Sequence, residues 1–303
     1  MDLSLERIEA ARERIAPAFL DTPQFDDDRL SAVFGREVVV KVETVNPIGS
    51  FKGRGTWLLA EQLDPECTWV CATAGNFGQG LAYAGRARGA RVQVFASPGA
   101  PRRKVEQMRA LGAEVEVSPN PETAARSFAA DEAERRTLVQ DGLDPAIAEG
   151  AATIAVELES LRPVDVALVQ IGDGALISGV ARWLKSQRPQ TRVVGVCASG
   201  APAMARSFEA GHPLRIGGTG TIAAALAISE PVPESLARIR ALVDEIVLVD
   251  DDDLRSSIDL IADNLGVLVE PAGAAGVAAL RRHGQRVAGN RVAVLLTGAG
   301  SAA

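Results

Sequence analysis

Two apolar runs in this chain empty directly into a glycine-rich turn that opens a helix, and no other feature of the sequence restricts the fold as much. The first is Thr68-Trp69-Val70-Cys71-Ala72, followed by Thr73-Ala74-Gly75-Asn76-Phe77-Gly78-Gln79-Gly80 and a helix expected from Leu81 to Arg88. The second, at residues 164–171, meets Gly172-Asp173-Gly174-Ala175-Leu176 and a helix that runs through Trp183. A strand that passes through glycines to a helix N-terminus presents unpaired backbone N–H groups to an anion. Each turn is therefore expected to hold a carboxylate or a phosphate. Further strand signals at residues 38–42, 91–95, 114–117, 192–196, 245–249 and 291–296 alternate with helical segments. Such alternation means parallel, wound sheets and an α/β fold.

A length of 303 residues suits two modest domains. The expected division is a small α/β domain at residues 67–143 inserted into a larger one made of residues 1–66 and 144–303, with a junction near Asp144-Pro145. Residues 119–143 read as a polar helix and loop, residues 3–18 as an amphipathic opening helix, and Asp26-Asp27-Asp28 as a solvated turn and helix cap. A formal charge of -7 opposes nucleic acid or an anionic membrane as the main partner. No apolar run approaches the ~18 residues of a membrane span, and the N-terminus shows no signal-peptide core. Cys67, Cys71 and Cys197 read as structural thiols in a cytoplasmic protein, and no metal site is expected.

The stretch from Asn46 to Gly55 follows the strand at residues 38–42. Pro47 and Gly49 impose a turn, and Ser50 is placed to cap a helix through Trp57. Lys52 then falls in the first turn, where the helix dipole and burial favour a neutral amine able to form a Schiff base with a carbonyl. Arg102-Arg103-Lys104 reads as a solvated helix face. A dinucleotide reading of the second glycine turn requires an acidic residue after the next strand; Cys197-Ala198-Ser199 stands there, and NAD is disfavoured.

Five separated motifs, spread over nearly the whole chain, resemble the serine/threonine dehydratase group of the fold type II pyridoxal-phosphate enzymes. The resemblance implies that Lys52, in Gly49-Ser50-Phe51-Lys52-Gly53-Arg54-Gly55, is the Schiff-base lysine. It implies that Thr73, Ala74, Gly75, Asn76 and Phe77 bind the substrate carboxylate, with Asn76 also on the cofactor's 3′ oxygen. Gly172, Asp173, Gly174, Ala175 and Leu176 would hold the cofactor phosphate, and Thr297 would hydrogen-bond the pyridine nitrogen. Glu270-Pro271-Ala272-Gly273 matches a segment beside the ring, so Glu270 and Phe51 would support the site from its margin. The implied activity is loss of water from a small β-hydroxy amino acid such as L-threonine or L-serine, giving a 2-oxo acid and ammonia. A homodimer is the usual arrangement of such enzymes.

Several positions depart from the family pattern. Ala74 stands where racemases of the family carry a serine base, so racemisation is not expected. The phosphate turn usually has four glycines; here Asp173 and Ala175 interrupt it, and a desolvated carboxylate facing a phosphate costs on the order of a few kcal/mol. Either Asp173 points away or it marks altered cofactor affinity. Thr221-Ile222-Ala223-Ala224-Ala225 replaces a more polar family segment, and Cys197 replaces a metal-binding glutamate. Two alternatives stay open on these grounds: a β-replacement enzyme resembling cysteine or diaminopropionate synthases, and a non-catalytic regulatory relative with weakened cofactor binding.

Overall fold

A computed structural model of the chain describes residues 1–73, 75–131, 135–287 and 289–300. Among the described residues ten strands lie in two sheets: β1 (Gln24–Asp26), β2 (Glu37–Val42), β3 (Thr68–Ala72), β4 (Val92–Ala96), β5 (Glu114–Val117), β6 (Arg136–Leu138), β7 (Val166–Gln170), β8 (Arg192–Ala198), β9 (Glu245–Val249) and β10 (Arg291–Leu296). Six form one sheet in the order β1-β2-β10-β7-β8-β9, and a second sheet has the order β5-β4-β3-β6. All neighbours are parallel except the edge strand β1, which is antiparallel to β2. The expected α/β class holds, with the small parallel sheet interposed in the chain between β2 and β7.

The apolar runs follow from burial on both faces. Val38, Val40, Leu168, Val194 and Val294 join a core with the helices Asp251–Leu265 and Ala275–His283. Their immediate neighbours Val39, Ala167, Val169, Val193 and Ala293 join another with the helices Pro145–Leu158 and Ala175–Gln187. Successive strand residues point to opposite faces, so a strand covered on both sides is apolar at nearly every position. The small sheet is covered unequally. Trp69, Cys71, Val92 and Val94 pack against Leu58, Leu81 and Met108, whereas Val70, Phe95 and Ala125 make a thin core on the opposite face.

Some local expectations are corrected. Residues 119–143 contain β6 as well as the helix Pro121–Ala129; a three-residue, half-buried polar strand is too short to leave an alternating pattern. Asp26 belongs to β1 and pairs with Arg291, while Asp27 caps the helix Asp28–Phe34, its carboxylate accepting from Leu30 N at 2.7 Å. The helix after β3 begins at Asn76, not Leu81. Phe51, not Ser50, is the cap residue of the helix Lys52–Ala60, and Ser50 Oγ accepts only a 3.4 Å bond from Lys52 N.

That helix is fixed by a buried ionic network. The Arg54 guanidinium, fully buried, donates to both oxygens of Glu43 at 2.9 Å, to both oxygens of Glu157 at 2.5 and 3.0 Å, and to the hydroxyls of Thr153 and Thr22 at 2.9 and 3.0 Å. Lys41 pairs with Glu157 and donates to Thr22 O at 2.9 Å. Two cations and two carboxylates thus cancel among β2, the residue that follows it, the Lys52–Ala60 helix and the Pro145–Leu158 helix. Burial works against the charge on Glu157, yet the hydrogen bonds and charge of Arg54, with Lys41, hold its carboxyl below the ordinary range. The two helices touch backbone to backbone: a Cβ on Gly55 would lie 2.4 Å from Ile147 O, and one on Gly150 would lie 2.6 Å from Gly55 Cα.

Removing one partner strands the others in the interior. Arg54→Met is expected to lower the stability of the cofactor-free protein by ~3–5 kcal/mol in chemical denaturation, and a loss below ~1 kcal/mol would contradict the network's role.

Candidate active site

The strands of both sheets end at one cavity of about 1000 Å³, lined by the segments that leave β2, β3, β6, β7 and β10. Carboxyl ends of parallel strands, where helices start and strand order switches, are where ligands collect in wound folds. Lys52 and Phe51 line the cavity from the first of these segments, and Thr73, Gly75, Asn76 and Phe77 from the second. Gly172, Asp173, Gly174, Ala175 and Leu176 line it after β7, and Glu270 and Thr297 complete the set expected from the sequence. Ala74, the remaining expected residue, lies outside the described residues.

Lys52 is 14% exposed, with Nζ 5.0 Å from the ring centroid of Phe51 and 5.8 Å from that of Phe77. It is ion-paired with Asp141, a residue that sequence reasoning misses. Only the placement of β6 brings Asp141 here, so nothing local in the sequence marks it.

The turn after β7 has the expected anion-cradle geometry. Gly174 adopts φ +96°, which L side chains rarely tolerate, and a Cβ on Gly172 would fall 2.2 Å from Ala225 O. The ladder of the helix Ala175–Gln187 starts with the bond from Ser178 N to Gly174 O at 3.0 Å, which leaves the N–H groups of Ala175, Leu176 and Ile177 without a helical acceptor. Asp173 is the discordant member. Burial pushes its carboxyl up to about 7, the charges of Asp141 and Glu122 act in the same direction, and Lys52 opposes them.

The helix Asn76–Arg88 opens the other turn. Thr73 Oγ accepts from Gly75 N at 3.2 Å. Asn76 Nδ2 donates to Glu270 Oε1 at 2.8 Å, and Asn76 Oδ1 accepts from Lys104 Nζ at 2.9 Å and from Gln79 Nε2 at 3.3 Å. Lys104 is also ion-paired with Glu270. The basic triplet is therefore not uniformly solvated: Arg102 is exposed, but Lys104 turns into the cavity and bridges the small sheet's helix to the segment before the Ala275–His283 helix.

Behind Thr297, Gln170 Nε2 donates to Thr297 Oγ at 2.7 Å and lies 3.0 and 3.1 Å from Leu295 O and Ala272 O, while its Oε1 is buried without a partner. Because Thr297 Oγ accepts this bond, its own hydrogen remains to be donated. Ala224 and Ala225 line the cavity, whereas Thr221 is turned to Asp251, its hydroxyl donating at 2.7 Å. The three cysteines are free, and burial pushes the thiols of Cys71 and Cys197 up to about 12, which keeps them protonated and inert.

A wound α/β chain with a half-buried lysine, two helix N-termini and a buried hydroxyl around one cavity has the form of a fold type II enzyme. The profile described as "Pyridoxal-phosphate dependent enzyme" matches residues 15–298, and the chain belongs to that family. It is 36% identical to a phenylserine dehydratase of Ralstonia pickettii over 97% of this chain and 92% of that protein. It is 33% identical to a putative threonine dehydratase of Sinorhizobium fredii over 98% of this chain and 92% of that one. The crystal structure of a threonine deaminase from T.th. superposes with a TM-score of 0.89 at 30% identity, covering 99% of each chain. Within the family the chain is a threonine/serine dehydratase-like, pyridoxal-phosphate-dependent ammonia-lyase.

The residues present fit that cofactor: an amine at Lys52 for an aldehyde, free N–H groups at residues 175–177 for a phosphate, and an undonated hydroxyl hydrogen at Thr297 for a ring nitrogen. Asp173, inside the phosphate turn, works against it when ionised. Its native titration near 7 lies above the ~3.9 of an unfolded aspartate, so the native state binds the extra proton between those values. Stability of the cofactor-free protein should therefore fall as pH rises from about 4 through about 7, relative to Asp173→Asn. Denaturation of both proteins at pH 5 and pH 8 checks this, and an equal change in the two would contradict it.

Proposed function

We propose that this protein removes water from a small β-hydroxy amino acid, with L-threonine or L-serine as substrate, and releases a 2-oxo acid and ammonia. The observation that carries this reading is that the Lys52 amine, the free N–H groups at residues 175–177 and the Thr297 hydroxyl open onto one cavity. The chain has four lysines. Lys41 is locked into the Arg54 network and Lys185 pairs with Asp244, so Lys52 and Lys104 are the two that line the cavity. Lys104 stands with Glu270 and Asn76 among the residues that would receive the substrate carboxylate, whereas Lys52, paired with Asp141, stands near Asp173 of the phosphate turn, which favours Lys52 as the cofactor's partner.

When bound, the cofactor supplies an aldehyde that condenses with amines and a ring that withdraws electrons from the substrate Cα. Lys52 Nζ would hold the cofactor between turnovers and, when free of it, would accept the Cα proton of the bound amino acid. The N–H groups at the start of the Asn76–Arg88 helix, with the hydroxyl of Thr73, bind the substrate carboxylate, and Ala74 and Phe77 belong to the same segment. Asn76 Nδ2 spends one hydrogen on Glu270 and has a second for the cofactor's 3′ oxygen. Residues 172–176 would hold the phosphate through backbone N–H groups. Thr297 would donate its hydroxyl hydrogen to the ring nitrogen and, being neutral, would not protonate it, a setting that suits elimination of the β-hydroxyl. Phe51 and Glu270 orient Lys52 and Asn76 respectively.

The division into a 67–143 domain and a larger one, a homodimeric assembly and a cytoplasmic location belong to the same reading. Free thiols and a composition without a membrane-spanning helix among the described residues accord with it. The test is release of 2-oxo acid and ammonia from L-threonine and L-serine, with L-phenylserine alongside, by protein loaded with pyridoxal phosphate. Lys52→Ala is expected to lower turnover by about 10³-fold or more while the protein remains folded, as checked by circular dichroism. Turnover of none of the three substrates, or full activity in that variant, would remove the proposal.

A further inference from the structure

Asp141 has a place at the catalytic lysine that the dehydration reading does not use. Its side chain is 12% exposed and is ion-paired with Lys52 at the cavity wall. The turn that carries it is held firmly. Asp141 Oδ1 accepts from Gly142 N at 3.0 Å, and Gly142 adopts φ +79° so close to the phosphate turn that a Cβ there would lie 2.8 Å from Asp173 O. Arg238, 3% exposed, donates to Gly142 O at 3.1 Å and to Leu143 O at 2.9 Å and is itself paired with Asp2. Asp173 feels the charge of both members of the pair, and Cys71 feels that of Asp141. Asp173 and Glu122 are acidic, and the rings of Phe51 and Phe77 flank Lys52.

An ammonium is not a nucleophile. Before Lys52 attacks an aldehyde its nitrogen must leave the carboxylate and give up a proton. The same lysine is freed in every turnover when the amino acid takes its place, and it becomes an ammonium again on accepting the Cα proton. Resting on the assignment of Lys52 as the cofactor's lysine, we infer that Asp141 is a positioning residue: the fixed acceptor that receives the Lys52 ammonium whenever that lysine is free of the cofactor, and so retards cofactor capture while keeping the amine at the cavity wall.

The experiment mixes cofactor-free protein with aldehyde and follows the visible absorbance by stopped flow. Two probes are used, pyridoxal phosphate and pyridoxal, which lacks the phosphate. In Asp141→Asn the capture rate at pH 7 should rise roughly tenfold with both probes, because the Lys52 nitrogen no longer has to leave a partly buried charge-assisted hydrogen bond, worth ~1.5 kcal/mol, before it attacks. Asp141→Glu should restore the slow rate, and Asp141→Ser provides the comparison if the asparagine variant does not fold. A rate equal to wild type in the neutral variants overturns the inference. So does acceleration confined to pyridoxal phosphate, which would reduce Asp141 to repulsion of an anionic cofactor. Lys52→Ala separates this failure from that of the underlying reading: if that variant develops the same absorbance, Lys52 is not the cofactor's lysine at all.

Discussion

The contacts of one buried guanidinium position the site. Arg54 is two residues from Lys52 on the same short helix, and its hydrogen bonds tie that helix to Glu43 beyond β2 and to Glu157 and Thr153 on a crossing helix. A lysine side chain has four rotatable bonds, so its amine is only as well placed as the backbone that carries it. The network fixes that backbone from two directions, and the backbone contact at Gly55 and Gly150 fixes the distance between the helices. Because the charges cancel and each carboxylate is multiply hydrogen-bonded, the cluster survives burial that would expel an isolated ion.

From that anchor the cavity follows by topology. β10, the last strand, inserts between β2 and β7, so the segments after all three emerge side by side and bring Lys52, Gly172 and Thr297 to one place from positions far apart in the chain. β3 and β6 of the second sheet contribute Asn76 and Asp141 from the facing side. Two helix N-termini offer N–H groups to anions, so a chain of net charge -7 presents local anion sites in this cavity, with Lys104 beside one of them. The cost is borne at Asp173, whose carboxyl is kept near neutrality by burial between that turn and Asp141.

Much of this is legible in the sequence because the physics is local. Strands covered on both faces must be apolar throughout, and a glycine turn ahead of a helix must expose N–H groups, so β2, β3, β7, β8 and β10 and both anion turns stand out from the residues alone. What stays hidden depends on distant partners. β1 and β6 are three residues each and gain their strand character only by pairing with β2 and β3. Lys104 differs from Arg102 and Arg103 only in helical phase, and that phase is set by Val105 and Met108 packing inward. Asp141 sits in a polar stretch with no pattern, and the charged residues Lys41, Glu43, Arg54 and Glu157 give no sequence sign that they meet inside the protein. Ser50 is not the helix cap because the turn extends one residue further before the helix begins.

The chemistry depends most directly on which lysine bears the cofactor. Reduction of the pyridoxal-phosphate-loaded protein with borohydride, followed by peptide mass mapping, locates the pyridoxyl group covalently. The predicted result is modification of Lys52 alone. A pyridoxyl group on Lys104, the other lysine of the cavity, or on neither, would contradict the assignment.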